Sequence, residues 1–378
     1  MMKKKIKIVH IACIIVIGIL LIIIGYIPPF RDRDIGKQWY IKNDGVCEDI
    51  EIDTEFCKIS NFKKDIDISI SDIWKEKLKN QNEVVVAIID TGIDFLHEDL
   101  RNVAWSNPGE IPNDGIDNDN NGFIDDINGW NFCENNNNLL SGEEIYENDH
   151  ATMEAGIISA NHNFKGIAGI AGKCKVKIMS IKILTGLTRE GTVEDLRKGI
   201  EYADKMGADI CNLSLGYTTK HSEIKELIAN SSMLFVTSAG NEGKDIDIRK
   251  QYPASYKLNN LITVASMGFD GNIDSDSNYG KKSVDVIAPG VYLYSTCVEN
   301  RYNYDSGTSL AAAIVTGIAA IMYANKDNIT AQEVKQDICK NVTKVREFEN
   351  LASTSGYVNA RLAIDDFLFQ KDDLQNKQ

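Results

Sequence analysis

The chain has 378 residues, of which 43% are hydrophobic and 25% charged, a composition ordinary for a globular protein and a length sufficient for one large α/β domain. The formal net charge of −14, with no basic stripe after residue 7, argues against nucleic acid as a partner, because a polyanion would be repelled.

The chain begins with Lys3, Lys4, Lys5 and Lys7, followed by an uncharged apolar run over residues 11–27. That run is at the short end for a membrane span, which needs about 20 residues. It closes on Tyr26-Ile27-Pro28-Pro29 without a small-x-small cleavage site. This pattern predicts an uncleaved signal anchor over residues 1–29, a single transmembrane helix with its lysines in the cytoplasm and the rest of the chain outside. A cleaved signal peptide and a secreted product are the alternative. A linker over 30–37, a domain over 38–369 and a polar tail over 370–378 follow. Residues 44–67 read as an acidic insertion forming a surface loop. Within it Cys47 and Cys57 are close enough for a local bridge, which the spacing leaves open. Cys174 and Cys211 are flanked by strand-like runs and read as small core residues.

Residues 84–89 form a continuous β-branched apolar run that predicts a buried parallel strand ending at Asp90-Thr91-Gly92. Asp117-Asn118-Asp119-Asn120-Asn121-Gly122-Phe123-Ile124-Asp125-Asp126 carries oxygen-bearing side chains at alternating positions with a glycine at the sixth, similar to the start of an EF-hand loop. It predicts a structural Ca²⁺ site with Asp117, Asp119, Asn121 and Asp126 as side-chain ligands and the Phe123 carbonyl completing the set. Further strands are expected over 176–183, 209–213, 233–237, 261–265 and 284–288. Thr192 caps a helix closed by Gly207, Thr330 caps another, and residues 310–324 form an apolar, alanine-rich helix. Such alternation predicts a doubly wound, mainly parallel sheet with helices on both faces.

Three short motifs supply complementary chemistry. Ser309 lies in Ser306-Gly307-Thr308-Ser309-Leu310-Ala311-Ala312, Asp90 in Ile88-Ile89-Asp90-Thr91-Gly92, and His150 in Asn148-Asp149-His150-Ala151-Thr152-Met153. A serine hydroxyl is a weak nucleophile at neutral pH, so an imidazole must take its proton and a carboxylate must hold that imidazole in one tautomer. The chain has five histidines. His10 lies in the apolar segment and His97, His162 and His221 lack a matching context, which leaves His150 as the base. Ser309 falls at a helix N-terminus, where its backbone N–H is free to hold an oxyanion, and Asn241 in Ser238-Ala239-Gly240-Asn241-Glu242-Gly243 offers a second donor.

With Asn212-Leu213-Ser214-Leu215-Gly216, Ile287-Ala288-Pro289-Gly290 and Gly356-Tyr357-Val358-Asn359-Ala360, these motifs run in chain order over roughly residues 38–366, and the chain resembles the subtilisin-like serine proteases, or subtilases. The resemblance implies the subtilisin-like fold and a serine endopeptidase using Asp90, His150 and Ser309, with Asn241 at the oxyanion. It implies peptide or protein substrates pairing with the edge Ser214, Leu215 and Gly216, and a pocket made polar or acidic by Glu242 and Gln251. A second cation site is implied at Gln38, Asp99 and Asn163. Members of the family usually carry a folding-assistant prodomain, for which the stretch 28–37 leaves no room before Gln38-Trp39, similar to the family's mature start.

The chain departs from the family where His-Gly-Thr-His-Val-Ala-Gly becomes His150-Ala151-Thr152-Met153-Glu154-Ala155-Gly156, and where Ala313 stands for a proline. Glu154 is expected to face solvent. Near the imidazole it would instead favour the protonated base and move activity to higher pH. No departure removes a catalytic atom, so an active enzyme is expected. The alternative is an inactive anchored relative that binds peptides.

Overall fold

The computed structural model describes residues 32–45, 63–76, 78–79 and 82–369. The proposed anchor over 1–29, most of the 44–67 insertion with Cys47 and Cys57, and the tail over 370–378 lie outside the described residues.

The apolar runs form the strands expected of them: β1 (Val84–Asp90), β3 (Val176–Lys182), β4 (Ile210–Leu213), β5 (Leu234–Ser238), β6 (Leu261–Met267) and β7 (Val286–Pro289). With β2 (Gly129–Asn131), β10 (Val342–Lys344) and β11 (Gly356–Val358) they make one 9-stranded sheet in the order β10-β11-β7-β6-β5-β4-β1-β3-β2. Only β10 runs antiparallel to its neighbour. A separate hairpin, β8 (Leu293–Cys297) and β9 (Arg301–Asp305), lies off the sheet. β1 is the switch point, with the chain going to β2 and β3 on one side and to β4–β7 on the other. In open α/β sheets functional groups collect outside the carboxyl ends of strands at such a point.

Strand periodicity sorts the core into two layers. Val84, Val86 and Ile88 pack with α2 (Asp149–Ser159), α5 (Thr308–Asn325), α6 (Ala331–Lys340) and α7 (Ala360–Phe369), as does the short α1 (Ile70–Ile73). Ala87 and Ile89 pack against α3 (Val193–Lys205) and α4 (Ser222–Asn230) on the opposite face. Thr192 caps α3 by accepting the Asp195 N–H at 3.0 Å, and Thr330 and Glu333 close a reciprocal capping box on α6. α5 is buried along all 18 residues and touches β1, β4, β5, β6 and β7. It is long and apolar enough to cross a membrane by composition, but here it is the central core helix.

Candidate active site

Asp90 has the same alternation as Ile88, so its side chain leaves β1 on the face covered by α2 and α5. His150 stands in the first turn of α2, and Ser309 is the second residue of α5. One sheet face thus gathers all three. His150 Nδ1 lies 2.8 Å from Asp90 Oδ1, with both groups buried. The Thr91 N–H donates to the same Asp90 oxygen at 2.7 Å, and Thr91 Oγ1 accepts the Ala151 N–H, tying the strand tip to the histidine helix. Gly92 makes this turn possible. Its φ is 105°, and a Cβ there would stand 2.0 Å from the Leu139 carbonyl oxygen. Ser309 is 6% exposed, and its hydroxyl makes no hydrogen bond to the His150 ring.

The proposed oxyanion side is held by Thr308. Both the Thr308 N–H and its hydroxyl donate to Asn241 Oδ1 at 2.9 Å, and the Gly240 N–H donates to Thr308 Oγ1 at 3.1 Å. Because the Asn241 carbonyl is engaged twice, the amide orientation is fixed and its Nδ2 remains as a donor. Gly307, with φ of 153°, brings α5 against this amide, where a Cβ would stand 3.4 Å from Asn241 Nδ2.

Two buried groups extend the centre. Lys182, at the end of β3, donates to the carbonyls of Thr91 and Leu184 and to Asn148 Oδ1. It ties the Asp90 turn to the residue preceding α2. Its only sequence signal was a lysine inside an apolar run. Glu154 is the second group, and here the expectation of a solvent-facing side chain is corrected. One helical turn after His150, Glu154 is 0% exposed, because α2 is enclosed on every side from His150 to Ser159. Glu154 Oε1 lies 4.0 Å from His150 Nδ1, and Oε2 accepts from Asn212 Nδ2 at 3.1 Å. Ala151 sits within α2 and is absent from the positive-φ positions, so alanine in place of glycine brings no strain. Ala313 is likewise an ordinary buried residue of α5.

Electrostatics follow from this packing. Burial alone would depress the His150 pKa, but the charges of Asp90 and Glu154 outweigh it and the net shift is upward. Burial would raise Asp90, yet its pairing with His150 keeps it below the usual carboxylate range. Burial, reinforced by Asp90, pushes Glu154 up to about 8.

Beyond β4, Ser214, Leu215 and Gly216 line a cavity of about 230 Å³ together with Leu184, Arg189 and Tyr217. Gln251 lies over Gly216, where a Cβ would stand 2.6 Å from its Nε2. Glu242 is exposed and accepts a hydrogen bond from Asn278 Nδ2 at 2.5 Å. Arg189 was missed from sequence; it is an exposed cation whose charge reaches Asp90, His150 and Glu154.

In the acidic loop, one oxygen each from Glu110, Asp119 and Asp126 lies within 4.8 Å of the others, a hard-oxygen set that fits a divalent cation. Glu110 was missed because it precedes the motif. Asn121 turns its Nδ2 toward Asp119 and Asp126, while Asp117 accepts the N–H groups of Asn121 and Gly122. The Phe123 ring packs on Trp130, Phe132 and Tyr202. At the other implied cation site, Asn163 donates to Asp99 Oδ1 at 3.0 Å. Asp99 Oδ2 accepts from the Ile167 N–H and Tyr302 hydroxyl, and both polar atoms of the Gln38 amide are bonded to Ala168 or Tyr40. These donors satisfy one another, and a cation there would have to displace them.

The sequence model of the subtilase family matches residues 81–358, and the chain belongs to that family. It is 30% identical over 308 residues to "Subtilisin-like protease 1" of Plasmodium berghei, covering 76% of this chain and 50% of that protein. It is 34% identical over 261 residues to the "Major intracellular serine protease" of Bacillus subtilis, covering 68% of this chain and 72% of the relative. Against the Plasmodium proteins the chain thus spans about half the relative's length. A solved cold adapted subtilisin-like serine proteinase shares the fold, with a TM-score of 0.57 and 22% identity over 75% of this chain and 89% of that one.

Proposed function

We propose that this chain is a serine endopeptidase, anchored on the outer face of a membrane and stabilised by calcium, that cleaves peptide or protein substrates through Asp90, His150 and Ser309. The observation that carries the reading is the 2.8 Å contact between His150 Nδ1 and Asp90 Oδ1 on the sheet face where α5 begins. Relatives named as serine proteases support it.

In this reading Asp90 occupies Nδ1 and leaves Nε2 to take the Ser309 proton as Oγ attacks the scissile carbonyl. Catalytic hydrogen bonds are often long before substrate arrives, which accounts for the open Ser309–His150 contact. The tetrahedral oxyanion is held by Asn241 Nδ2 and the Ser309 N–H, the latter unpaired because the first turn of a helix has no intrahelical acceptors for its donors. His150 then returns the proton to the leaving amine, and water, activated by the same imidazole, releases the acyl group from Ser309. The peptide pairs with Ser214–Gly216 by strand addition, with Glu242 and Gln251 beside its pocket. Calcium, when bound, neutralises the acidic loop; Glu110, Asp119 and Asp126 would hold it, with Asp117, Asn121 and the Phe123 carbonyl as the remaining candidates. The anchor rests on the pattern of residues 1–29 alone.

A fluorophosphonate probe tests this reading, since only an activated serine reacts. Labelling of the full chain that disappears in Ser309→Ala supports it. An unlabelled but folded wild type identifies an inactive, peptide-binding relative.

A further inference from the structure

The catalytic centre contains one carboxylate more than the triad chemistry uses. Asp90 and Glu154 both approach His150, and one polar atom from each of the three lies within 4.8 Å of the others. Two buried oxygens there, Asp90 Oδ2 and Glu154 Oε1, have no hydrogen-bond partner. Two buried anions sharing one imidazole are costly, and a single proton on the pair relieves both the repulsion and the missing hydrogen bond.

The surroundings supply little other relief. From β4, Asn212 donates to Glu154 and to Ser214 Oγ, while its own Oδ1 accepts the Thr316 hydroxyl of α5 at 2.7 Å. That chain of bonds fixes the Glu154 carboxyl and links it to the substrate edge. Arg189, on the loop after β3, acts on the cluster through its charge without a salt bridge, and the Lys182 ammonium lies behind Asp90, committed to carbonyl oxygens.

We propose that Glu154 is a positioning residue of the catalytic centre that shares one proton with His150 and so sets the pH at which the imidazole becomes available as a base. The proposal rests on the triad reading above. With the proton on Glu154, His150 is neutral and competent. With the same proton on the imidazole, Glu154 is an anion paired with an imidazolium, and the site is idle although the total proton count is unchanged. The two forms compete through the neutral range, since burial lifts the Glu154 carboxyl to about 8 while its charge lifts His150. Activity therefore reaches its plateau at a higher pH than the Asp90–His150 pair alone would set.

The test compares kcat/KM against pH for the full-length wild type and Glu154→Gln, which keeps the Asn212 contact but cannot ionise. The acid limb of the variant is expected to move down by about one pH unit, with activity at pH 7 rising roughly two-fold relative to its own plateau. A purely structural role would scale the profile without moving it, and that result overturns the proposal. Should Glu154→Gln fail to fold, the His150 ring resonances of full-length Ser309→Ala decide. A two-step titration across the neutral range supports the shared proton, and a single step overturns it. If Ser309→Ala remains active the triad reading fails; if it is silent and the Glu154→Gln profile superimposes on wild type, only this proposal fails.

Discussion

Two clusters of carboxylates, one in the core and one on a loop, show two ways of tolerating the same repulsion. At the sheet rim, Asp90 and Glu154 are sealed from solvent around His150, and the charge of exposed Arg189 reaches them without a salt bridge. In the loop, Glu110 and Asp126 are buried but Asp119 reaches solvent, and backbone N–H groups satisfy much of the charge: Glu110 alone accepts from Asn118, Asp119 and Asp125. There the remaining repulsion suits a hard cation. Burial determines which counter-charge can arrive, so the first cluster should respond to pH and the second to chelators.

The largest expected effect defines the catalytic side of this comparison. Ser309→Ala should lower peptidase turnover by a factor of about 10⁴ or more, read with a peptide substrate, while leaving chelator sensitivity intact. Asn241→Ala should cost about 10²–10³ in kcat with little change in KM, the magnitude typical of removing one oxyanion-hole donor. Lys182→Met strands buried carbonyls at the Asp90 turn and should destabilise the fold by about 3 kcal/mol in denaturant titration; an unchanged midpoint would show that the rim holds without its strut. Removing calcium should lower the thermal midpoint, equivalent to about 2.7 kcal/mol when calcium was present at a hundred times its Kd, and Asp119→Asn should abolish that dependence.

A further effect is a pH dependence of stability. Glu154 has a folded pKa raised from 4.5 to about 8, so the folded state holds a proton that the unfolded state has released over that window. Its contribution therefore falls as pH rises from 4.5 to 8, and the wild type should lose stability relative to Glu154→Gln across the same range, read as the difference between their thermal midpoints. A constant difference would place the ionisation elsewhere. Because chelator should leave this slope unchanged, the two clusters can be separated in one set of melts.

The frame of the fold was legible because β1 and β3–β7 are apolar runs bounded by turn chemistry, and because Thr192 and Thr330 announce their helices. The segments β2, β10 and β11 are three residues each, too short to show a period, and the tyrosine-rich hairpin β8–β9 carries alternation without a turn signal strong enough to name it. The residues of the proposed triad were chosen from local motifs, and of these Asp90 and His150 meet. Glu154 was misjudged because a helix buried all round has no polar face, so a carboxylate on it gives no sign of facing inward. Lys182 acts through Asn148, 34 residues away, and no local window contains both, whereas Glu110 lies only 8 residues before its partner Asn118 but falls outside the alternating motif.

α5 carries a further consequence. A helix apolar along its whole length and threaded against five strands has nowhere stable to lie until those strands have assembled. Since Ser309 is its second residue, the hydroxyl takes up its place beside Thr308 and the Asp90–His150 pair only once that helix is seated. On the proposed reading, a half-made chain would have no assembled nucleophile, and the appearance of activity during refolding would time the closing of the sheet.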